Sequence, residues 1–314
     1  MTKIIKINSK KPEKQLIKLA SETIKSGGLV VFPTETVYGL GASALNRLAV
    51  SKIFKAKGRK VDNPLIVHVY NKNDIKKLAK NIPSNVNGLI NRFWPGPLTI
   101  ILEKKPIVPG NVTSGLKTVA IRMPSNKIAL ELIKLAGPIA APSANLSGKP
   151  SGTMFKHVFE DFNGKIDAII ESVDSKIGLE STVINLTTSP PLLLRPGYIT
   201  LEQLRKYLPD IEVYKQKSKN EKSASPGMKY KHYSPKAKVI IVKNDKEMKK
   251  LENKYKNKKV KIVDIKNPKV LAKNLFKIFR ESDEKGYDIV LVKELKEKGL
   301  GLAVMNRLRK AASS

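Results

Sequence analysis

Cysteine is absent from the 314-residue sequence. That excludes disulfides, a thiolate nucleophile and every zinc site built on sulfur. Aromatic residues are scarce at 6%, with a single tryptophan, and there are only three histidines. No apolar run comes near the roughly 20 residues that a membrane-spanning helix needs. The opening stretch MTKIIKINSKKPEKQ has no signal-peptide core, so the expectation is a soluble, cytoplasmic protein with no membrane association. The Asn-X-Ser/Thr sites at Asn111, Asn145 and Asn185 then have no route to glycosylation. A G-x-x-x-x-G-K-[ST] phosphate loop is missing too. Acidic residues are few, 27 against 60 Lys plus Arg, which leaves a net charge of +33.

What is present suffices for a folded protein. A hydrophobic content of 41% supports packed cores rather than disorder. At roughly 150 residues per domain, the length suggests two domains. A basic chain suits a polyanionic partner. Only nine of the 60 basic residues are Arg, however, and Ile and Asn are abundant, so the excess reads first as a compositional bias. Its distribution says more. Residues 1–212 carry 31 basic and 16 acidic groups, and residues 213–314 carry 29 and 11. Net charge per residue more than doubles, which marks a change of domain.

Periodicity predicts helices at Glu13–Lys25, Leu45–Phe54, Lys127–Leu135 and Leu201–Tyr207. Short apolar runs predict strands at 29–32, 65–69, 98–102, 119–122, 139–141, 168–170, 183–186 and 192–194. This alternation implies an α/β domain over residues 1–212, and the Pro-rich fragments Phe93–Pro97 and Ser189–Pro191 imply a mixed sheet. Residues 215–238 turn polar and charged, a linker by composition. Met228, Tyr230, His232 and Tyr233 nevertheless sit in its second half, which suggests that it packs on something. The rest alternates strands at 239–242, 260–263 and 289–292 with helices at 246–255, 269–281 and 300–310. That is a small Rossmann-like βαβαβα domain, 237–314, too small for a generous core of its own and expected to dock on the first.

Gly39-Leu40-Gly41-Ala42-Ser43-Ala44 fits G-x-G-x-x-A, with Asp62 about 20 residues on. A dinucleotide fingerprint needs its first glycine directly after the strand and the acid at the end of the next. Here the strand stops at Phe32 and Asp62 precedes the next one, so this reading fails. The stronger signal is a set of polar loops, several at strand ends, where ligands bind in α/β sheets. They carry Thr34 and Glu35; Lys57, Arg59 and Asn63; Thr118 to Arg122; Ser143 and Asn145; Glu180 and Ser181; and Arg195. Such hydroxyls and cations suit a substrate bearing phosphate or carboxylate.

Taken together, PTETVYGLGASA, KAKGRKVDNPLIVHV, FWPGPLTIIL, VAIRMP, PSANLSGKPS, GLESTVINL and LLRPG stand in the order of a YrdC-type domain. SASPGMKYKHYSPKA and GLGLAVMNRLRKAAS resemble the linker and C-terminal end of its two-domain form. The sequence thus resembles the L-threonylcarbamoyladenylate synthase (threonylcarbamoyl-AMP synthase) family over nearly its whole length. The resemblance implies a twisted mixed sheet with a large concave cavity. It implies synthesis of L-threonylcarbamoyl-AMP and pyrophosphate from L-threonine, bicarbonate or CO2, and ATP with Mg²⁺. A downstream transferase would pass the product's acyl group to a tRNA adenosine.

Carried over by resemblance, Lys57-Gly58-Arg59 and Ser143-Ala144-Asn145 form the family's paired K-x-R and S-x-N signature. Lys57 and Arg59 would act on the phosphates. Asn63, Thr118, Ser143, Asn145, Ser151 and Arg195 would contact ATP, and Tyr233 of a linker at 213–236 would close over the nucleotide. Thr34, His68, Arg122, Ala141 and Ser181 would form the L-threonine subsite. The metal ligands are unassigned, with Glu35 and Glu180 the nearby carboxylates. A rival reading as an RNA-binding factor requires exposed aromatics interleaved with Arg. The scarcity of aromatics leaves room for weak RNA binding at most.

Overall fold

Two devices shape the first turn of the sheet. Thr34 Oγ1 accepts the backbone N–H groups of Thr36 and Val37 and donates to the Val37 carbonyl, which folds the loop between strands Val30–Phe32 and Gly39–Ser43. Those strands pair antiparallel, Phe32 opposite Gly39. A Cβ at Gly41 would lie 2.7 Å from the Phe32 ring and from Ile139 Cγ2, so this glycine serves close packing. The G-x-G-x-x-A stretch is therefore a buried strand, which explains why it makes no dinucleotide loop.

The computed structural model describes residues 1–215 and 232–313; Met228 and Tyr230 of the charged segment lie outside the described residues. Among the described residues the main sheet has twelve strands. From one edge they run Lys3–Lys6, Ala168–Glu171, Val30–Phe32, Gly39–Ser43, Ile139–Ala140, Ile66–His68, Thr118–Arg122, Leu98–Lys104, Thr182–Asn185, Leu192–Arg195 and Glu212–Val213. Ala79–Lys80 pairs with Leu98–Lys104 off this path. Parallel and antiparallel pairs are interspersed, so the sheet is mixed, as expected.

Helices Lys14–Lys25 and Lys127–Ala136 cover one face near its start, packing Ile17, Ile24, Leu132 and Ile133 on Ile5, Val30, Phe32 and Ile170. Arg47–Lys57, Val86–Phe93 and Phe155–Phe162 cover the opposite face through Ile53, Phe54, Leu89, Phe93, Val158 and Phe162. Asn46 and Asn126 cap two of these helices by accepting two N–H groups each, as side-chain caps do. The helices at Val86 and Phe155 and the edge strand Lys3–Lys6 were not foreseen from periodicity. The two helices have eight residues each, too few to establish a 3.6-residue repeat.

The C-terminal unit matches its expected form. Lys238–Val242, Val260–Val263 and Ile289–Lys293 make a parallel sheet with Ile289–Lys293 in the centre. Helices Asp245–Lys254, Pro268–Glu284 and Leu300–Ala312 alternate with them. Asn267 caps the second of these helices, with Pro268 at its first position. Its apolar cluster also takes in Val37, Leu179 and Tyr233, so the two units share a core.

Candidate active site

Strand register assembles the polar side chains. His68 lies opposite Arg122, Arg122 opposite Thr99, Thr99 opposite Val183, and Val183 opposite Arg195. Cross-strand neighbours point to the same side of a sheet, so five strands present one row to one face. The apolar cluster of Ile66, Ile101, Ala120, Val183 and Leu194 includes one member of the row and adjoins the rest. Above this row opens a cleft of about 700 Å³, counted with the space continuous with solvent.

Thr34, His68, Arg122, Ala141 and Ser181 line the cleft. Arg122 is buried and held on three sides. It donates from Nη2 to Glu35 Oε1 at 2.6 Å, from Nη1 to Thr36 Oγ1 at 3.0 Å and from Nε to the Gly96 carbonyl at 3.3 Å. Glu35 also accepts the Ser125 N–H. His68 is buried, and its pKa is pushed down to about 3, first by burial and then by the Arg122 charge. It is a neutral imidazole at working pH, with Nδ1 lacking any hydrogen-bond partner.

Lys57, Arg59, Ser143, Asn145, Arg195 and Tyr233 line the cleft as well. Lys57 Nζ donates to the carbonyls of Ser143 and Asn145. Ser143 Oγ in turn donates to Asn145 Oδ1 at 2.6 Å, and Asn145 Nδ2 donates to the carbonyls of Leu146 and Lys149. Burial and the neighbouring Arg59 charge pull the Lys57 pKa well below the usual lysine range. Arg59 donates to the carbonyls of Asn63 and Pro64. Its own pKa is lowered to about 10, first by burial, with Arg195 adding to the effect. Arg195 donates to both the carbonyl and the hydroxyl of Ser181, each at 3.0 Å, and Ser181 Oγ pairs with Thr99 Oγ1 at 2.7 Å. Four cations thus face one lining carboxylate, Glu180, among the described residues. Mutual repulsion of this kind is relieved by an anionic ligand.

Asn63, Thr118 and Ser151 do not line this cleft. Asn63 is buried behind Arg59 and holds it through its carbonyl, while its own Oδ1 has no partner. Ser151 is buried behind Glu180, donating to Oε1 at 2.5 Å. Thr118 starts its strand opposite Glu103, four residues from Arg122, or roughly 13 Å away by strand rise. Sequence reasoning missed Thr36, Ser147 and Gly148, which also line the cleft, and Arg307 behind it. Arg307 had a readable signal, since it falls on the apolar stripe of its helix with Val304, Leu308 and Ala311.

No group of three or more His, Cys, Asp or Glu among the described residues is arranged to hold a metal ion. Glu35 and Glu180, the carboxylates considered for that role, are paired with Arg122 and Arg307. None of the described helices is long and apolar enough to cross a membrane.

A twisted mixed sheet carrying this cationic cleft, with a small parallel α/β unit beside it, defines a YrdC-type enzyme of the two-domain kind. Residues 22–197 match the family model described as telomere recombination (Sua5, YciO and YrdC), and residues 199–313 match that of the threonylcarbamoyl-AMP synthase C-terminal domain. The threonylcarbamoyl-AMP synthase of Pyrococcus abyssi is 49% identical, covering 99% of this chain and 98% of its own length. That of Bacillus subtilis is 43% identical, covering 93% and 92%. The solved structure of P. abyssi Sua5 complexed with L-threonine superposes with a TM-score of 0.95 at 48% identity, covering 99% of this chain and 98% of that one. Escherichia coli YciO matches the sheet unit, with a TM-score of 0.57 at 25% identity over 63% of this chain and 96% of its own. The chain belongs to the threonylcarbamoyl-AMP synthase family and is an enzyme of the nucleotidyltransferase kind.

Proposed function

We propose that this enzyme makes L-threonylcarbamoyl-AMP and pyrophosphate from L-threonine, bicarbonate or dissolved CO2, and ATP. The observation that carries the reading is one cleft lined by two kinds of group, which this reading assigns to two ends. The Arg122 fork and the neutral His68 suit the carboxylate and polar groups of an amino acid. The Lys57, Arg59 and Arg195 end suits a triphosphate. The P. abyssi relative was solved with L-threonine, which supports the first assignment.

In this reading the deprotonated threonine amine adds to CO2, losing a proton to give N-carboxythreonine. A carbamate oxygen then attacks the α-phosphorus of ATP, and the bond from that phosphorus to the α,β-bridging oxygen breaks to release pyrophosphate. No protein nucleophile is required. The chain's own residues align the reactants and exclude water, which protects the labile carbamate. Arg59 and Arg195 stabilise charge developing on the phosphates. Lys57 holds the Ser143–Asn145 loop against them. Tyr233, buried at the cleft, covers the nucleotide end. Asn63 and Ser151 support that end from behind, and Thr118 extends it beyond the cleft. Magnesium arrives with ATP, held by phosphate oxygens and water, since Glu35 and Glu180 are already paired.

On this reading residues 1–212 form the catalytic domain, 213–236 the linker, most of which lies outside the described residues, and 237–314 the C-terminal domain. The sheet itself runs slightly past the first boundary, with Tyr214 N–H donating to the Leu193 carbonyl. The product's activated carbamoyl group is consumed by a separate tRNA-modifying transferase in the cytoplasm, and RNA contact by this chain is weak. The test is pyrophosphate release from ATP by the purified protein, with L-threonine and bicarbonate each added or withheld. Release requiring both, with L-serine clearly poorer, supports the reading; release indifferent to L-threonine overturns it.

A further inference from the structure

The helix Leu300–Ala312 carries Arg307 in the middle of its buried stripe, with no side-chain exposure at all. An arginine placed there requires charged and polar partners. Most of them come from the other unit of the protein. Nε donates to Glu180 Oε2 at 3.0 Å, and Nη1 donates to the Pro196 carbonyl at 2.6 Å and to Asn306 Oδ1 at 3.1 Å. The guanidinium also lies over the Tyr233 ring, 5.6 Å from its centre.

Each outward contact leads directly to the cleft. Glu180 lines it, and its second oxygen accepts from Ser151 Oγ. Pro196 follows Arg195, whose guanidinium grips Ser181, the neighbour of Glu180. Tyr233 also lines the cleft and stacks on Phe276 of the C-terminal unit at 5.2 Å. Its backbone sits at φ +65°, a left-handed conformation that a bulky residue adopts only when its surroundings hold it there.

A second buried arginine in the same interface provides the contrast. Arg280 bonds Asp161 and the carbonyls of Pro150 and His157, none of which lines the cleft. Two partners of Arg307, Glu180 and Tyr233, line the cleft themselves, whereas Arg280 reaches its wall only at one remove, through the Leu146 N–H that Asp161 accepts.

We propose that Arg307 is a positioning residue of the active cleft: it fixes Glu180 on Ser151 and seats the Tyr233 ring against the nucleotide end. The C-terminal domain thereby supplies part of the site's geometry. The proposal rests on reading that end of the cleft as the ATP subsite. Burial alone would raise the Glu180 pKa; the charges of Arg307 and Arg195 instead hold it below the usual range. Without Arg307 the carboxyl has lost its nearest cation and takes up a proton more readily.

The test uses the full-length protein with Arg307→Met, Arg307→Lys, Arg280→Met and the double variant Glu180→Gln/Arg307→Met. Two readouts are taken: steady-state pyrophosphate release, and the rise in Tm produced by ATP alone. For Arg307→Met, about a tenfold higher KM for ATP is expected, with KM for L-threonine within twofold of wild type. Its kcat/KM for ATP should also acquire a rise with pH as Glu180 deprotonates, beyond the wild-type change due to Lys310, which faces Glu180 and whose pKa burial, Arg307 and Arg195 lower to about 7. Arg307→Lys restores the charge without the two-armed fork, so the added pH dependence should disappear while part of the KM defect persists. The double variant should lose the added pH dependence and add no further KM defect, because both changes act on one chain of contacts; it also removes the unpaired buried charge should Arg307→Met fold poorly. Arg280→Met should lower Tm and leave KM for ATP near wild type.

Arg307 variants whose KM for ATP and pH profile match wild type, at whatever Tm, overturn the proposal. So do additive defects in the double variant. Wild type that releases no pyrophosphate, while ATP raises its Tm and Arg307→Met abolishes that rise, overturns the synthase reading alone. ATP that leaves wild-type Tm unchanged overturns both.

Discussion

The Lys57 ammonium lies between the carbonyl oxygens of Ser143 and Asn145. The K-x-R and S-x-N stretches, 86 and 88 residues apart at these contacts, are therefore one hydrogen-bonded unit. Lys57 ends its helix, Gly58 turns the chain at φ +60°, and Arg59 enters the cleft two residues on. A lysine whose donors are committed to backbone carbonyls shapes the loop that carries Ser143 and Asn145.

Lys57→Met should therefore release that loop. Two hydrogen bonds from a charged group, at roughly 1.5–3 kcal/mol each, total about 3–6 kcal/mol, so kcat/KM for ATP is expected to fall by more than about 100-fold. KM for L-threonine should change much less. Pyrophosphate-release kinetics with each substrate varied in turn separates the two, and an equal loss for both substrates would contradict the assignment.

Arg59→Ala removes a cation from the phosphate end, and weakening of ATP binding by about 1.5–3 kcal/mol is expected. Titration calorimetry with ATP measures it directly. Wild-type affinity would remove Arg59 from the nucleotide site.

Arg122→Lys keeps the charge but loses the planar fork that grips Glu35, Thr36 and Gly96 together. KM for L-threonine should rise about 10- to 100-fold, with KM for ATP near wild type. The reverse pattern would exchange the two ends of the cleft.

Acid should destabilise the protein through all three of its histidines. His68 and His232 are held down to about 3 and His157 to about 4, in each case first by burial and then by a nearby arginine. A folded pKa below the unfolded value of about 6.5 means that the unfolded chain binds more protons. The stabilisation is fully present above pH 6.5 and is lost as pH falls toward 3 to 4. Each histidine adds up to about 1.4 kcal/mol per pH unit in that window. Urea melts between pH 7 and 5 should show the decline, and His157→Gln should make it shallower. A flat profile would show that these rings accept protons without unfolding.

Arg280 and Asp161 form a buried pair 2.6 Å apart between the two units. Removing one partner strands the other, so Arg280→Met should cost roughly 3–5 kcal/mol. Arg280→Met/Asp161→Leu should recover part of that loss. Urea denaturation of the single and double variants checks the coupling.

Much of the fold was legible from local pattern. The strands at Val30–Phe32, Ile66–His68 and Val260–Val263 and the helix Lys127–Ala136 lie within a residue or two of where apolar runs and periodicity predict them. Gly39–Ser43 is missing from the predicted strands, and its glycines weigh against one; the Phe32 ring and Ile139 lying against Gly41 explain them. The site motifs were visible as polar loops at strand ends, yet their individual tasks were not. Lys57 carried no mark that its ammonium would hold two carbonyls. Glu35 carried none that it would brace Arg122.

The sequence by itself determined the chemistry available to this protein. It provided hydroxyls, cations and a few histidines without a thiol, in an order that names the family, because such motifs are contiguous in the chain. Tertiary structure decided which of those groups meet. His68, Arg122 and Arg195 share one face because strand register sets them side by side, and register depends on pairing between segments distant in sequence. Arg307 meets Glu180, 127 residues earlier in the chain, because the apolar core that buries its helix extends to Val37 and Leu179 of the other unit.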